Sequence, residues 1–247
     1  MIEFPINKII DEFSIPEPKE LDRDWWHPSA LGGCPRGIYL ERKGIPCPEP
    51  FEPRTYQIFE YGNLTEKLIV DKVLKGQSKY NYTVEYQKKV EIPEWNVRGT
   101  LDMQINTPDG PIIYDVKSVN SNKFKYLRQP DEHYRQQVWL YLYATKIQDG
   151  AILYVSKDNQ VRAVFPVFLN DEKLAAGVKS KLEMLNACWK EDRLPDPAPT
   201  FTEDGKFNWI TGYCRWHTIC TGNPRWREEA LKEQRSKLIK KQIKLKT

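Results

Sequence analysis

The pattern of hydrophobic and polar positions changes period several times along the chain and predicts alternating helices and strands. Helices are predicted where apolar side chains recur at helical spacing or helix-favouring residues dominate, at 28–43, 54–75, 131–147, 170–191 and 225–245. Strands are predicted where apolar and polar residues alternate or form short β-rich runs, at 82–92, 96–106, 111–119, 150–156 and 160–167. This order of helix, three strands, helix, two strands and helix favours an α/β core with a mixed sheet.

Turn and linker residues divide the chain into segments. Gly76 is predicted to end the first long helix, and Pro108-Asp109-Gly110 predicts a tight turn between two strands. LPDPAP at 194–199 is too rich in proline for a helix and predicts an extended linker. We therefore predict an N-terminal helical segment at 1–53, a core at 54–192 and a C-terminal cysteine-bearing segment with a basic helix at 193–247.

The composition predicts a folded protein in a reducing compartment. Hydrophobic residues make up 40% of the chain and charged residues 29%, which is enough apolar content for a core. The chain has no apolar run long enough to span a membrane, and its N-terminus lacks the pattern of a signal peptide. We therefore expect no membrane partner and a cytoplasmic location, where the five cysteines stay reduced.

The positive charge is concentrated at the C-terminal end. Residues 225–247 contain nine Lys or Arg against three Glu, whereas the net charge of the whole chain is only +4. A basic helix on a nearly neutral body can bind a phosphate backbone or dock a protein partner. It can equally be a solvated helix of mixed charge.

Two aspartates are predicted to face each other across the central hairpin. Because side chains alternate between the faces of a strand, Asp115 and Lys117 share one face. If the turn comprises residues 107–110, residues whose numbers sum to 217 lie opposite each other, and Asp102 and Asp115 are such a pair. Their Cβ atoms would then lie roughly 5 Å apart.

Two neighbouring carboxylates repel each other unless a cation lies between them. Oxygen ligands of this kind favour Mg²⁺ or Mn²⁺, and the ammonium group of Lys117 would point into the same space. There it can orient an attacking water molecule and offset negative charge on a phosphate. The alternative is that Asp102 and Asp115 are solvent-side residues of a half-exposed hairpin.

GTLDMQ at 99–104, followed by PIIYDVKS at 111–118, resembles motifs II and III of the PD-(D/E)XK nucleases. The nearest resemblance is to the RecB-like exonuclease group, which includes CRISPR-associated iron–sulfur nucleases and phage-encoded exonucleases. The resemblance covers about residues 28–220 and implies a restriction-endonuclease-like core, a central mixed sheet flanked by helices. It further implies hydrolysis of phosphodiester bonds in DNA that is single-stranded or has free ends, in recombination, repair or replication. A phage-encoded protein of this kind would act in the host cytoplasm.

The resemblance also assigns roles around the hairpin. Asp102, Asp115 and the carbonyl oxygen of Val116 would hold the metal ion, and Lys117 would position the attacking water. HYRQQVWLY at 133–141 is similar to the Q-x-x-x-Y motif of the group.

Gln137 and Tyr141 of that motif would join the catalytic set by binding the DNA backbone or orienting the lysine. The alternative is a packed tyrosine beside a surface glutamine. Lys123, Lys125 and Arg128 follow the third strand and are expected to grip the DNA backbone.

The first long helix departs from the group. Its G-x-x-x-H motif has a histidine that contacts a metal, whereas GNLTE at 62–66 has Thr65 at that position. The neighbouring Glu66 is a candidate ligand, directly or through water, and is equally consistent with a residue at the edge of the core.

The cysteines resemble the iron–sulfur ligands of the group. ALGGCPRGIYLERK at 30–43 contains Cys34 at the position of the first ligand, and YCRWHTIC at 213–220 contains Cys214 and Cys220 at two others. The fourth position is Thr211, which cannot replace a thiolate.

Cys47, Cys188 and His217 are therefore candidates for the missing ligand of a 4Fe–4S cluster. Cys34, Cys214, His217 and Cys220 would also suit zinc. The remaining alternative is no metal, with small buried cysteines packing the two terminal segments together.

A catalytically inactive DNA-binding or protein-interaction subunit with a nuclease-like fold is the alternative function. It would bind DNA or a partner through the basic C-terminal helix. The intact set of Asp102, Asp115 and Lys117 argues against it and favours a Mg²⁺- or Mn²⁺-dependent deoxyribonuclease.

Overall fold

A computed structural model describes residues 5–17, 22–223 and 225–244. The helices in these residues are α1 Ile6–Ser14, α2 Pro35–Arg42, α3 Pro53–Tyr80, α4 Ser121–Tyr126, α5 Glu132–Thr145, α6 Glu172–Lys190, α7 Trp209–Gly212, α8 His217–Thr221 and α9 Trp226–Lys244. The strands are β1 Thr83–Ile92, β2 Val97–Thr107, β3 Gly110–Val119, β4 Asp149–Ser156 and β5 Arg162–Phe168. Residue 245, the last of the helix predicted at 225–245, lies outside the described residues. None of the described helices is both long and apolar enough to cross a membrane.

The five strands form one mixed sheet in the order β1-β2-β3-β4-β5. Neighbouring strands are antiparallel except for β3 and β4, which are parallel and joined through α4 and α5. A parallel pair needs such a crossover because a short turn cannot return the chain to the starting edge. The predicted α/β fold with a mixed sheet flanked by helices is confirmed.

Helices cover both faces of the sheet. On one face, Ile69 and Val73 of α3 pack against Val116 and Val155. On the other face, α5 and α6 form the main core together with the sheet and α2. This core includes the fully buried residues Leu101, Ile113, Leu140, Leu142, Ile152, Leu182 and Leu185. The site described below lies at the point in the sheet where β2 and β3 separate.

Two predicted helix limits were wrong. The helix predicted at 28–43 begins only at Pro35, because Cys34 is extended and proline is well suited to the first helical position. The helix predicted to end at Gly76 continues to Tyr80. A Cβ atom on Gly76 would lie 2.5 Å from the Tyr82 hydroxyl oxygen, so glycine leaves room for this hydroxyl. The hydroxyl donates a hydrogen bond to the carbonyl oxygen of Val73 in the same helix.

The C-terminal segment packs in two small clusters outside the main core, and the first of them joins it to the N-terminal segment. Cys34 and Leu40 from the N-terminal segment pack against Cys214 and Trp216 from the C-terminal segment. A second cluster of Phe207, Trp226 and Ala230 holds α9 against the preceding loop. The predicted cysteine-bearing region that joins the two ends of the chain is therefore present.

Arg42 is buried and holds the segment before α2 against α6. Its guanidinium carbon lies 4.0 Å from the ring centroid of Trp26 and 4.2 Å from that of Trp189. The same group donates hydrogen bonds to the carbonyl oxygens of Arg23, at 2.8 Å, and Asp24. One planar cation thus links the segment before α2 to α6.

Replacing Arg42 by Lys should destabilise the protein, because an ammonium group cannot stack between two indoles and donate to two carbonyls at once. We expect the free energy of unfolding to fall by about 1–3 kcal/mol. Urea denaturation measures this change. Arg54→Lys on the exposed side of α3 is the matched control and should leave stability unchanged. Equal stability of the two variants would contradict the role of the stack.

Candidate active site

The hairpin of β2 and β3 opens at Asp102. The paired residues run from Thr107 opposite Gly110 to Met103 opposite Tyr114, which confirms the predicted register, but the predicted pair of Asp102 and Asp115 lies beyond the last pair of the hairpin. Beyond this point β2 continues along β1 and β3 continues along β4. Asp102 follows the last pair, and its Oδ2 accepts a hydrogen bond of 2.8 Å from the backbone N–H of Val116. A carboxylate therefore occupies the place where the two strands separate.

Asp115 is fully buried beside this opening. Its Oδ2 lies 2.8 Å from Nζ of Lys117, an ion-pair contact. Within the described residues, neither carboxylate oxygen has a hydrogen-bond donor in good geometry. Burial, opposed by Lys117 and reinforced by Asp102, raises the pKa of Asp115 to about 7. A buried carboxylate with unfilled acceptor sites is a position that a cation would stabilise.

Lys117 stays an ammonium group in this environment. Burial disfavours its charged form, but the carboxylates of Asp115 and Asp102 outweigh burial, so the pKa of Lys117 lies above its ordinary value. Nζ also lies 4.9 Å from the ring centroid of Tyr134, whose π face favours a cation. A protonated lysine can orient a water molecule or stabilise negative charge, but it is not a base.

Glu66 reaches the same centre from α3. Burial, followed by the charge of Asp102, raises the pKa of Glu66, which indicates that the two carboxylates are close. Oε1 of Glu66 accepts a 2.6 Å hydrogen bond from Nε2 of Gln87 on β1. Thr65, at the position of the histidine in the related motif, is buried, and its hydroxyl donates to the carbonyl oxygen of Tyr61.

Gln87 is a site residue that the sequence did not indicate. Its φ is 52°, a left-handed conformation that is uncommon for a residue other than glycine and often marks functional sites. A polar residue in an alternating strand carries no signal of this conformation or of its contact with α3. The structure therefore adds an amide that holds Glu66.

Gln137 and Tyr141 lie on the face of α5 that covers the site. Nε2 of Gln137 donates a 3.0 Å hydrogen bond to the Tyr141 hydroxyl oxygen, and both side chains are buried. Burial, and next the charge of Asp115, raises the pKa of Tyr141. Gln137 also borders the groove above the site. These positions suit residues that orient others, and their catalytic role remains a prediction.

Only one of the three predicted DNA-binding residues borders the groove above the site. Lys123 on α4 borders the groove, and its Nζ lies 2.6 Å from Oδ2 of Asp131. Lys125 and Arg128 are exposed outside the lining of that groove. Arg128 instead borders a separate cavity of about 430 Å³ that also includes Arg135. Contact of these residues with DNA remains a prediction.

The cysteine region brings Cys34 and Cys214 into contact. The hydrogen bond from the Cys214 thiol, together with backbone donors that include Ala198, lowers the pKa of Cys34 to about 5. Ala198 N lies 3.2 Å from the Cys34 sulfur. Cys47 packs against the same pair, and Nη1 of Arg36 lies 3.9 Å from the sulfur of Cys220. The surroundings of Cys34 therefore favour its thiolate form, and other thiols lie nearby.

The other proposed ligands have different surroundings. Cys188 lies in the main core, separate from this cluster. His217 is buried with its ring centroid 4.1 Å from that of Trp226, and neither ring nitrogen has a hydrogen-bond partner in the described residues. Thr211 is fully buried and its hydroxyl contacts the carbonyl oxygens of Ala198 and Pro199. Of the candidates for the missing position, Cys47 is the one that packs with Cys34 and Cys214.

The residues at the hairpin fit a hard divalent cation. Asp102, Asp115 and Glu66 supply carboxylate oxygens, and both oxygens of Asp115 have free acceptor capacity. Mg²⁺ and Mn²⁺ prefer such oxygen ligands and retain part of their water. Across the described residues, no three His, Cys, Asp or Glu side chains already form a ready-made metal-binding group. Binding would therefore require side-chain adjustment, for which Glu66, held by Gln87, is the natural candidate.

Asp115→Asn should stabilise the metal-free protein at neutral to alkaline pH. Because the pKa of Asp115 is raised to about 7 in the folded state, the charged form destabilises the fold as pH rises from about 4 through about 7. We expect a gain of roughly 1–3 kcal/mol near pH 8 in EDTA, which disappears near pH 4. Thermal and urea unfolding measure the gain.

Asp109→Asn, in the exposed turn of the same hairpin, is the control for this substitution and should have little effect at either pH. A pH-independent effect of Asp115→Asn would show that its buried charge is not the cause.

Comparison with known proteins supports the fold. No family model and no curated protein matches the chain. The structure is similar to that of SSO0001, with a TM-score of 0.52 and 16% identity over 89% of this chain and 98% of that one. It is also similar to the alkaline exonuclease LHK-Exo from Laribacter hongkongensis, with a TM-score of 0.50 and 10% identity over 68% of this chain and 89% of that one. The chain thus shares its fold with these structures, one of which is an alkaline exonuclease, and the restriction-endonuclease-like α/β fold expected from the sequence agrees with them.

Proposed function

We propose that the protein is a Mg²⁺- or Mn²⁺-dependent deoxyribonuclease that hydrolyses phosphodiester bonds. The observation that carries this proposal is the buried Asp115 carboxylate, which within the described residues has the Lys117 ammonium as its one close partner and further acceptor capacity that no group fills. A structural role would be served better by a neutral residue, because burial of a charge without full compensation is destabilising. A cation and a phosphate would supply the missing partners.

The side chains divide into two groups by their surroundings. Asp102, Asp115 and the Val116 carbonyl would hold the cation, with Glu66 as a further ligand once it leaves Gln87. The bound cation would neutralise the phosphate and lower the pKa of water.

Lys117 would orient the attacking water and stabilise charge on the phosphate, because it remains protonated. Gln137 and Tyr141 would hold the position of this lysine from α5 rather than bind the substrate through an exposed surface.

DNA with a single-stranded region or a free end is the proposed substrate. The alkaline exonuclease that shares the fold is named for the removal of nucleotides from ends, and the motifs at 99–118 resemble those of such enzymes. The same resemblance favours a role in recombination, repair or replication. Lys123, which borders the groove next to the site, is the basic residue best placed to contact the backbone.

Lys117→Met should abolish cleavage, and circular dichroism of the variant checks that the fold survives the loss of the ion pair with Asp115. The methionine keeps the apolar part of the side chain but removes the charge that faces the phosphate, so we expect a loss of about 100-fold or more in kcat. Cleavage of end-labelled single-stranded, linear duplex and circular DNA with Mg²⁺, Mn²⁺ or EDTA measures it.

Lys89→Met, an exposed lysine on β1, is the matched control for this loss and should retain activity. Binding of DNA without cleavage by the unaltered protein, at every metal concentration, would support the inactive DNA-binding alternative instead.

A thiolate-bound metal at the cysteine region is a second part of the proposal. Cys34 has a thiolate-favouring environment, and Cys47, Cys214 and Cys220 come from three other positions near it. Zinc and an iron–sulfur cluster both use such ligands. Cys47 is the proposed substitute for the ligand that Thr211 cannot provide.

Metal analysis of protein purified without oxygen should detect iron or zinc in stoichiometric amount. Visible charge-transfer absorbance would identify an iron–sulfur cluster, whereas zinc is colourless. The double variant Cys34→Ala, Cys214→Ala should lose the metal, and Cys188→Ala in the main core should retain it. Absence of both metals from the unaltered protein would leave the cysteines with a packing role only.

A further inference from the structure

A single groove connects the candidate active site to the C-terminal segment. Its volume is about 1170 Å³, and its lining includes Glu66 and Lys117 at one part and Trp209 and Tyr213 at another. This volume exceeds the range of about 300–1,000 Å³ that is usual for small-molecule pockets. The groove therefore has room for an extended ligand that continues away from the site of cleavage.

Trp209 and Tyr213 form an exposed pair of rings in this groove. Their ring centroids lie 5.7 Å apart with an interplanar angle of 33°, and the residues are 56% and 76% exposed. Within the described residues, neither side chain has a polar partner, so the indole N–H and the phenol remain open to a ligand. Two large aromatic rings at such exposure, next to each other, usually mark a binding surface.

Buried residues beneath the pair hold it in place. The ring of Phe207 is buried and packs edge-on against Trp209, with centroids 5.1 Å apart. Phe207 in turn stacks on Trp226 of α9. A Cβ atom on Gly212 would lie 2.7 Å from the Phe207 ring, so glycine allows this close approach. The exposed rings are thus built on a packed support.

A second aromatic group borders the same groove. Phe51 and Phe59 pack edge-to-face with centroids 5.3 Å apart, and the guanidinium carbon of Arg215 lies 4.3 Å from the centroid of Phe51. Both phenylalanines and Arg215 belong to the groove lining. Aromatic rings and stacked arginines are the groups on which unpaired bases stack.

The charges in the groove favour recognition through bases. Lys123 is paired with Asp131, and Arg215 with Glu41, so two of the basic side chains that line the groove already have an acidic partner. A duplex would present its phosphates, sugars and base edges to such a surface but not its base faces, because its bases are stacked on each other. Unpaired bases, in contrast, could use the rings directly.

We propose that Trp209 and Tyr213 form a stacking platform for unpaired bases of a single-stranded DNA segment whose backbone continues to the site at Asp102 and Asp115. This inference rests on the proposed nuclease function and specifies its substrate as a strand with several unpaired nucleotides. The rings contribute to binding and positioning of the strand, away from the atoms that react.

The double variant Trp209→Ala, Tyr213→Ala tests the platform in the full-length protein. Binding of fluorescent oligothymidylate is measured by anisotropy in EDTA, so that cleavage does not interfere. We expect the Kd to rise about 5- to 150-fold, the range for loss of stacking on one base. Trp209→Phe should restore most of the affinity when Tyr213 is present. Tyr80→Ala, an equally exposed aromatic outside the groove, should leave the Kd unchanged.

An oligonucleotide with a run of abasic sites separates stacking from a general loss of shape. The unaltered protein should bind this strand more weakly than the normal strand, whereas the double variant should bind both about equally. An equal loss of affinity in both proteins, or no effect of the double substitution, would overturn the proposal. A stronger effect on duplex than on single-stranded DNA would overturn it as well.

Cleavage assays distinguish this proposal from the proposed nuclease function. If both hold, the double variant retains kcat on single-stranded DNA and shows a raised KM. Base-dependent binding without Mg²⁺- or Mn²⁺-dependent cleavage would overturn the nuclease and keep the platform. Cleavage with an unchanged KM would overturn the platform and keep the nuclease.

Discussion

A buried carboxylate, Asp115, whose charge is only partly compensated by Lys117 is the constraint around which this site is organised. Removal of Asp115 from water disfavours its charge, and the neighbouring Asp102 disfavours it further. Lys117 compensates part of this cost, which explains why a lysine so deeply placed remains protonated. A bound cation would use the remaining acceptor capacity of Asp115. The charge that would bind this cation destabilises the cation-free protein, so stability and the proposed chemistry are opposed.

The fold creates this constraint by separating two strands that begin as a regular hairpin. β2 and β3 pair from their turn to Met103 and Tyr114, and each then follows its other neighbour. The separation leaves the backbone N–H of Val116 without a partner on β2, and this N–H donates a hydrogen bond to the carboxylate of Asp102. Helices from both faces of the sheet then close the space, with Glu66 arriving on α3 and the hydrogen-bonded pair of Gln137 and Tyr141 on α5.

The parts of this arrangement that depend on local chemistry were predictable from the sequence. Strand alternation and a two-residue turn determine which side chains face each other, and they identified Asp102 and Asp115 before any coordinates. Contacts between distant segments were not predictable. The helix continues past Gly76 to Tyr80, although glycine favours a helix end. The Tyr82 hydroxyl, from just beyond the helix, occupies the space beside Gly76.

The left-handed Gln87 and its contact with Glu66 are likewise products of packing between β1 and α3. Thr211 departs from the cysteine pattern for a reason visible only in the fold, since its hydroxyl satisfies two carbonyl groups of the proline-rich linker. The proline-rich linker forms no regular hydrogen-bonded structure, so its carbonyl groups need donors from elsewhere. The Thr211 hydroxyl of α7 is such a donor. The hydrogen bonds of Thr211 hold α7 near Cys34. A cysteine at position 211 could make this link only through a shared metal.

The cysteine region is continuous with the groove, because Cys34 and Cys214 belong to the groove lining. Tyr213 of the exposed ring pair precedes Cys214 in the chain, and Cys34 caps the helix whose Gly37 contacts the Cys214 sulfur and borders the groove. A metal held by these thiolates would fix the spacing between α2 and the ring pair, and the occupied groove would in turn favour the metal-bound arrangement. Because such coupling is reciprocal, DNA affinity and retention of the metal should change together, even though the cysteines lie apart from the carboxylates.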